Sequence, residues 1–468
     1  MPKDLRTFLD ELRASAPEQL KVVDKPVDPD FEVTALVDRM ERDPAYPGFP
    51  AVLFTAVGDS HIPLLINLHG TYQRLARSIG ADLHGMVEEY GRREGDGRPP
   101  VLVDDAPVHE IVLTGDDVDV RRLPMITHQE LDAGRYITSA VTICRDPSSG
   151  RLNAGIFRHQ YQEPDQIGIQ VNPAHHTAYV LRERRDRGEP MEVAVVIGHH
   201  PALLMGAVSK LEGIGGELDV VGGLLGEPLE MVRCKTVDLE VPARAEIVIE
   251  GVIDTDPEAV RVEGPFGEYP RFYTKVGPQP YIKIKAITMR RDAIYVDVFN
   301  AHTEHSMLGG LPRMGSIYRR VKEAVPSVVA VNLPLSGMAR SHLYLSMRKR
   351  VEGEPKLAAC AALAVDPLLK HVFVVDDDVD VFDEVATLWC LATRFQADRD
   401  LTVLPNFLGG QLNPVTYGHR REEKGPMETK LIFDCTRPAP PEKFPTSCRV
   451  PPEVVARMNP RDYLRDPD

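Results

Sequence analysis

Between about residue 116 and residue 310 the chain returns repeatedly to one pattern, in which apolar and polar residues alternate and β-branched side chains dominate. The runs YITSAVTICRD, IGIQVN, MEVAVVIG, AEIVIEGVI, PYIKIKAITM and AIYVDVFN all fall in this span. Period-two alternation places every second side chain on one face, which suits a half-buried strand. So many closely spaced strands must bury their apolar faces together, and the expected product is a sheet-rich barrel or sandwich. The flanks read differently. Helical periodicity in DLRTFLDELRAS, FEVTALVDRMERD and TYQRLARSIG, mixed with the short strands AVLFTAV and PLLINL, predicts an α/β domain over residues 1–115, with GRREGDGRPP at 91–100 as a loop or linker. After the central region, 116–312, helices return in MGSIYRRVKEAV, KLAACAALAV and EVATLWCLATRF around the strand HVFVVD, which predicts a second α/β domain over 313–468. Its end, PPEVVARMNPRDYL, reads as a short helix able to dock on a neighbour. A chain of 468 residues is long for one core, so three domains are reasonable.

Composition excludes several functions. Seventy acidic against 55 basic side chains give a formal charge of −15, which repels phosphate backbones and anionic membranes, so neither nucleic acid nor a membrane surface is expected as a partner. The six cysteines are scattered without C-x-x-C spacing, so a zinc knuckle or disulfide framework is not indicated and reduced thiols fit best. The charged N-terminus MPKDLRTFLDELR carries no signal-type apolar stretch, and no span of about 18 apolar residues occurs; a cytoplasmic protein is expected.

Within the central region, VEGPFGEYP places Glu263 and Glu268 on either side of Gly-Pro-Phe-Gly, between two strands. Glycine and proline fix a close backbone that can hold side chains in a set geometry; the plain alternative is a solvated turn. Arg158, in GRLNAGIFRHQ, is an arginine in an apolar run. It is expensive to bury unless a carboxylate such as Glu263 or Glu268 meets its fork, the alternative being a surface arginine that snorkels. The glycine-rich segment GAVSKLEGIGGELDVVGGLLG lacks the third glycine of a dinucleotide fingerprint, but its backbone, with Ser209 and Lys210, could wrap a phosphate or form a plain surface loop. VVDDDVDVFDE lacks calcium-loop spacing and reads as a strand end with an acidic cap to the next helix. The pairs His175-His176 and His199-His200 have no local carboxylate and read as core or surface histidines. Neither G-x-S-x-G, H-E-x-x-H nor a P-loop occurs, which removes the serine-hydrolase, zincin and kinase readings.

Together these pieces resemble the UbiD family of prenylated-FMN-dependent decarboxylases. The resemblance is carried by N-x-x-x-x-R from Asn153 to Arg158, P-x-H from Pro173 to His175, LEMVRC at 229–234, EGPFGE at 263–268 and VVDDDVDVFDEVATLWCLATRF at 374–395, in the family's order. It implies a central flavin-reductase-like split β-barrel between N-terminal and C-terminal α/β domains, the last used in oligomerisation as a homodimer or homohexamer. The implied activity is reversible, non-oxidative decarboxylation of an aromatic, heteroaromatic or α,β-unsaturated acid, with carbon dioxide released. Loss of carbon dioxide from an sp2 carbon leaves a carbanion with nowhere to delocalise, so an electron sink is required. In the family, prenylated FMN forms a reversible covalent adduct with the substrate, and a flavin prenyltransferase supplies the cofactor.

By the same resemblance Arg158, Glu263 and Glu268 form the catalytic network, with Glu268 as proton donor and Arg158 orienting the substrate carboxylate. Asn153, His175 and Glu230 would hold Mn2+ or Mg2+ beside the flavin phosphate, with K+ nearby, and Ile156, Phe157, Arg158 and Ala174 would line the flavin. Some relatives have paired serines near Ala207 and Val208 and a lysine near Ala364, so Ser209 or Lys370 is expected to substitute at the phosphate. His302, His305, Leu308 and Arg313 would line the substrate pocket and meet a second polar or acidic substituent; alternatively Arg313 only starts the following helix. A flavin-dependent oxidoreductase on the same barrel and a non-catalytic assembly subunit are the competing readings.

Overall fold

The computed structural model describes residues 2–172, 175–209, 216–416, 425–440 and 442–464. Ala174 and Lys210 therefore lie outside the described residues.

The N-terminal helix Leu5–Ser15 starts at Asp4, whose carboxylate accepts from Thr7 N–H while the Thr7 side chain returns a bond to the Asp4 backbone. This capping box fixes a helix that buries Leu5, Phe8, Leu9 and Leu12. It packs on a four-stranded sheet in the order Leu20–Val23, Ala51–Phe54, Leu64–Ile66 and Tyr295–Val296. The fourth strand is the AIYVDVFN segment, which the alternation of its residues assigned to the middle sheet. It pairs in parallel with Leu64–Ile66 instead, because a local pattern of period two specifies a strand without specifying its neighbour. A second difference concerns 91–100: the helix Met86–Gly95 takes in half of that stretch, its Arg92 and Arg93 both bonding back to Glu89.

The central sheet has ten strands. Its hydrogen-bonded path runs Tyr136–Ile137, His159–Glu163, Gln166–Gly168, Gly277–Met289, Ile247–Ile253, Met191–Ile197, Val141–Arg145, Leu152–Ile156, with every pairing antiparallel. The strand Gly277–Met289 is long enough to be shared. Along one edge it meets Gln166–Gly168 and then Ile111–Thr114, and along the other Ile247–Ile253 and, at its start, Val260–Glu263. A bulge between Glu250 and Gly251 bends the Ile247–Ile253 partner, and a Cβ at Gly251 would lie 2.5 Å from Ile282 and 2.6 Å from the Lys283 carbonyl. Among the described residues no pairing joins the two ends of the path. Leu152–Ile156, at one end of the path, and His159–Glu163, second from the other end, are separated only by Phe157 and Arg158. Two residues reach about 7 Å, so these two strands approach each other at that link.

The C-terminal unit is a five-stranded sheet in the order Val328–Asn332, His342–Met347, His371–Asp376, Met427–Asp434, Leu401–Leu408, parallel in the middle and antiparallel at both edges. Helices Gly310–Ala324, Glu354–Val365 and Glu384–Arg394 accompany it. The acidic run at 376–384 is a strand end followed by a helix cap, with Asp383 accepting from Ala386 N–H at 3.0 Å.

Candidate active site

The strand Val260–Glu263 ends at Glu263, and the chain then turns through the loop 264–276 before entering Gly277–Met289. The loop is a small hairpin in its own right. Thr274 N–H donates to the Phe266 carbonyl at 2.9 Å, Phe266 N–H to Thr274 Oγ1 at 3.2 Å, and Glu268 N–H to the Phe272 carbonyl at 3.0 Å. Gly264 adopts φ +86°, and a Cβ there would stand 3.1 Å from the Lys275 carbonyl. Gly267 is hemmed differently: its N–H donates to Asp132 Oδ1 at 2.8 Å, its carbonyl accepts from Asn300 at 3.0 Å, and a Cβ would meet Ala301 at 3.0 Å. Only glycine satisfies both positions without displacement.

Arg158 stands in the two-residue link between Leu152–Ile156 and His159–Glu163 and points at this loop. Its Nε donates to Glu263 Oε1 and its Nη2 to Glu263 Oε2, both at 2.8 Å, while Nη1 donates to Glu268 Oε1 at 2.7 Å. A fourth bond runs from Nη2 to Thr274 Oγ1 at 3.3 Å, and the guanidinium lies 4.6 Å from the Phe266 ring centre. Glu263 is buried and also accepts from the Tyr136 hydroxyl at 3.3 Å. One guanidinium thus clamps two carboxylates in a dry setting, where charge-assisted bonds are strongest. Burial alone would lower the Arg158 pKa, but the bonds to Glu263 and the charges of both glutamates hold it raised. Burial first, and then the Glu263 charge, raise the Tyr136 phenol.

On the other side of Glu268 stands His305, with Nε2 3.8 Å from Glu268 Oε2. Burial pushes the imidazole down to about 4. Ala301 N–H donates to its Nδ1 at 3.4 Å, so the neutral ring carries its proton on Nε2, facing Glu268. Tyr269, the next residue, stacks under Arg340 at 4.3 Å. Arg340 escaped the sequence reading, since nothing in LSGMARSHLY marks it. It is buried, donates to the carbonyls of Ser306 (2.9 Å), Met338 (3.3 Å) and His305 (3.3 Å), and is pushed down to about 10 by burial and by the charge of Arg313.

The remaining expected site residues divide. Asn153 lies on the strand Leu152–Ile156, buried, with Nδ2 donating to Thr177 Oγ1 at 3.1 Å. His175 begins the helix His176–Asp186, its ring edge-on to Phe157 at 5.7 Å, which brings it to the same region as Asn153 through Thr177. Glu230 sits on the strand Glu230–Arg233 of a three-stranded sheet and accepts from Arg244 Nε at 2.8 Å. The carboxylate beside Asn153 is Glu217, in the first turn of the helix Glu217–Leu225, accepting from Ala154 N–H at 3.4 Å and raised in pKa by burial. Its signal was present in GIGGELD, an acid placed directly after the glycine-rich loop at a helix start.

Ser209 donates to the buried carboxylate of Glu94 at 2.6 Å. Lys370 lies at the start of the strand His371–Asp376, its N–H donating to the Ser341 carbonyl at 2.8 Å, and its charge is felt by His342 and His371. Leu308 is buried in the same apolar cluster as Leu311 and Met314. Arg313 donates to the buried carboxylate of Asp366 at 2.6 Å. His302 turns away from Arg158 toward Asp38 and Glu41. A cavity of about 390 Å³ brings together Val208 and Ala364, the two positions at which a serine and a lysine were expected, and lines them with Arg313, Arg319 and Arg320. The Arg319 Nε is buried there without a hydrogen-bond partner.

Comparison with known proteins covers nearly the whole chain. Three models of the 3-octaprenyl-4-hydroxybenzoate carboxy-lyase family, UbiD, match it: the N-terminal domain over residues 12–94, the Rift-related domain over 101–302 and the C-terminal domain over 306–435. Anhydromevalonate phosphate decarboxylase of Methanothermobacter thermautotrophicus is 33% identical over 442 residues, 94% of this chain and 98% of the relative. The UbiD-class enzyme HmfF from Pelotomaculum thermopropionicum, solved with FMN, is 37% identical with a TM-score of 0.89, over 98% of this chain and 100% of the other. An evolved dimeric form of the same enzyme, in complex with prFMN, matches at 36% and 0.86 over 98% and 100%. Apo 3,4-dihydroxybenzoic acid decarboxylase from Klebsiella pneumoniae, AroY, is 29% identical with a TM-score of 0.87 over 99% and 100%.

Proposed function

Because the chain belongs to the UbiD family of carboxy-lyases, we propose that it carries out reversible, non-oxidative decarboxylation of an aromatic or heteroaromatic carboxylic acid with prenylated FMN. The observation that carries this reading is the grip of Arg158 on both Glu263 and Glu268. A guanidinium has five N–H donors, and four are engaged by Glu263, Glu268 and Thr274. The remaining Nη1–H is available to orient a substrate carboxylate. Glu268 is the proton donor. Its Oε1 is held by Arg158, so the proton it delivers is taken up on Oε2 and passes to the carbon that has lost carbon dioxide. Glu263 keeps Arg158 in place, and the Tyr136 hydroxyl keeps Glu263. Neutral His305 limits positive charge beside the acid.

The residues fit the cofactor. Half-buried Glu217, Asn153 with its amide nitrogen tied to Thr177, and neighbouring His175 offer a carboxylate, an amide oxygen and an imidazole for Mn2+ or Mg2+. The unpartnered Arg319 Nε, with Arg320 and Ser209, supplies positive and polar groups for a flavin phosphate where the expected serine and lysine are missing. Ile156, Phe157 and Arg158 lie where Leu152–Ile156 and His159–Glu163 approach each other, in the sheet that we read as the split barrel that holds the flavin, with a K+ ion near the phosphate. Prenylated FMN supplies the electron sink that a carbanion on an sp2 carbon requires.

Arg313, Arg340 and His305 make the adjoining wall positive and polar, which favours an acid with a second polar or acidic substituent. The chain works in the cytoplasm as a homodimer or homohexamer, served by a flavin prenyltransferase; six free cysteines agree with a reducing compartment, and no helix among the described residues is long and apolar enough to cross a membrane. The test is co-expression with a flavin prenyltransferase, followed by the absorption spectrum, the intact cofactor mass and carbon dioxide release from aryl and heteroaryl acids. Bound prenylated flavin with turnover is expected; protein that binds no flavin under those conditions refutes the reading.

A further inference from the structure

A second cluster of ligating side chains lies away from Arg158. The helix Glu32–Arg42 presents Asp38 and Glu41 one turn apart on a single face. Opposite them stands His302, the residue that precedes the helix Thr303–Leu308. Its side chain is 6% exposed, and its ring stacks on Phe299 at 4.1 Å and 8° with Phe49 at 5.8 Å behind it. The imidazole is therefore locked in orientation. Nε2 lies 3.0 Å from Glu41 Oε2 and 3.4 Å from Asp38 Oδ1, yet neither ring nitrogen makes a hydrogen bond of good geometry.

Short separations without hydrogen-bond alignment are the geometry of atoms that share an ion. Ligands at right angles around a cation, each about 2.1 Å from it, stand about 3.0 Å apart. The three donor atoms all lie within 4.8 Å of one another. Supporting contacts fix the carboxylates: Thr303 Oγ1 donates to Glu41 Oε1, the oxygen turned away from His302. Positive charge nearby is modest. Arg42 bonds Asp38 Oδ1 at 2.8 Å from a side chain that is 73% exposed and free to swing aside, and the charge of Arg271 reaches Glu41. Glu41 and Thr303 also line a cavity of about 560 Å³ between the N-terminal and C-terminal units, so water can reach the open coordination positions.

We propose that Asp38, Glu41 and His302 form a divalent-cation site that ties the N-terminal helix Glu32–Arg42 to the segment 299–305. One imidazole and two carboxylates suit Mn2+ or Zn2+ better than Ca2+. The site is separate from the flavin-linked ion described above and does not depend on it. Its place has a consequence for the active site, because the same segment carries Asn300, bonded to the Gly267 carbonyl, and His305, facing Glu268. An ion here positions the catalytic loop from behind.

The test uses the whole chain, free of flavin and stripped with chelator, titrated with Mn2+ while free Mn2+ is counted by electron paramagnetic resonance. D38N and H302Q are each expected to weaken one equivalent about tenfold or more, and Mn2+ is expected to raise the melting temperature of the wild type but not of D38N. E217Q, which alters the flavin-linked ligands, should retain this equivalent. D38N is the decisive variant because Asp38 is partly exposed, and its circular dichroism shows whether it folds. Equal Mn2+ stoichiometry and affinity in wild type and folded D38N, or no Mn2+-dependent rise in melting temperature, overturns the proposal and leaves the cluster as an ion pair between imidazolium and carboxylates.

Discussion

Glu268→Gln separates proton supply from scaffolding. Arg158, Glu263 and Glu268 sum to one positive and two negative charges, a net of −1 in a setting where Arg158 and Glu263 are almost fully buried. Glutamine leaves the guanidinium paired bidentately with Glu263 and keeps an oxygen for Nη1, while the local sum becomes zero. One charge-assisted bond becomes a neutral one, a loss of about 1 kcal/mol, and relief of an unbalanced buried charge offsets part of it. The stability change is therefore expected to stay within about 1 kcal/mol. The rate is another matter, since an amide has no acidic proton and a positioned general acid contributes about 10²- to 10⁴-fold, or about 3 to 5 kcal/mol of barrier. The assay pairs carbon dioxide release under saturating substrate with urea unfolding of the same preparation. A rate loss below about tenfold refutes Glu268 as donor. A large rate loss accompanied by several kcal/mol of lost stability refutes the separation argued here.

Other outcomes follow from the same geometry. Glu217→Gln should lower Mn2+ and flavin retention, measured as cofactor content after gel filtration. His305 titrates near 4 in the fold against 6.5 unfolded, so the unfolded chain binds the extra proton between those values and stability falls as pH drops from about 6.5 toward about 4. The contribution is about 3 kcal/mol, and His305→Gln should flatten that part of a urea-midpoint profile against pH. Gly264→Ala forces a side chain into φ +86° with its Cβ 3.1 Å from the Lys275 carbonyl. A loss of about 1 to 2 kcal/mol is expected, with a larger fractional loss of turnover, because the shift moves Glu263 and Glu268 relative to Arg158.

What could be read from the sequence follows from the range of the information. From the residues alone, Arg158 could meet Glu263 or Glu268 or else lie on the surface; it was the resemblance carried by EGPFGE and N-x-x-x-x-R that joined the three. The helices of both flanking units were legible from their period, and the cap at Asp383 from its acidic run. Pairing between distant segments was not. AIYVDVFN has the pattern of any strand, and its partner Leu64–Ile66 lies far away in the chain. The same limit hid Glu217, since only the packing of the helix Glu217–Leu225 against the strand Leu152–Ile156 brings it beside Ala154. Arg340 has no local signature because its partners are backbone carbonyls, two of them on the segment at 305–306, and the ring of distant Tyr269. His302 was recognised as chemistry-bearing, but its direction depends on Asp38 and Glu41 in another unit.

The closing of the N-terminal sheet by Tyr295–Val296 also sets a timetable for synthesis. When Ile66 leaves the ribosome, the chain that will cover its strand's outer edge is still 229 residues away, counting from 66 to 295. At about 5 to 20 residues per second that delay is about 10 to 50 s. Throughout it the nascent chain exposes Leu64, Leu65 and Ile66, all of them buried in the finished protein, along an edge able to recruit any passing strand. The N-terminal unit is thus first in sequence and among the last to be completed. A truncated message ending before codon 295 would yield a polypeptide with its first sheet permanently open and an inherent tendency to aggregate.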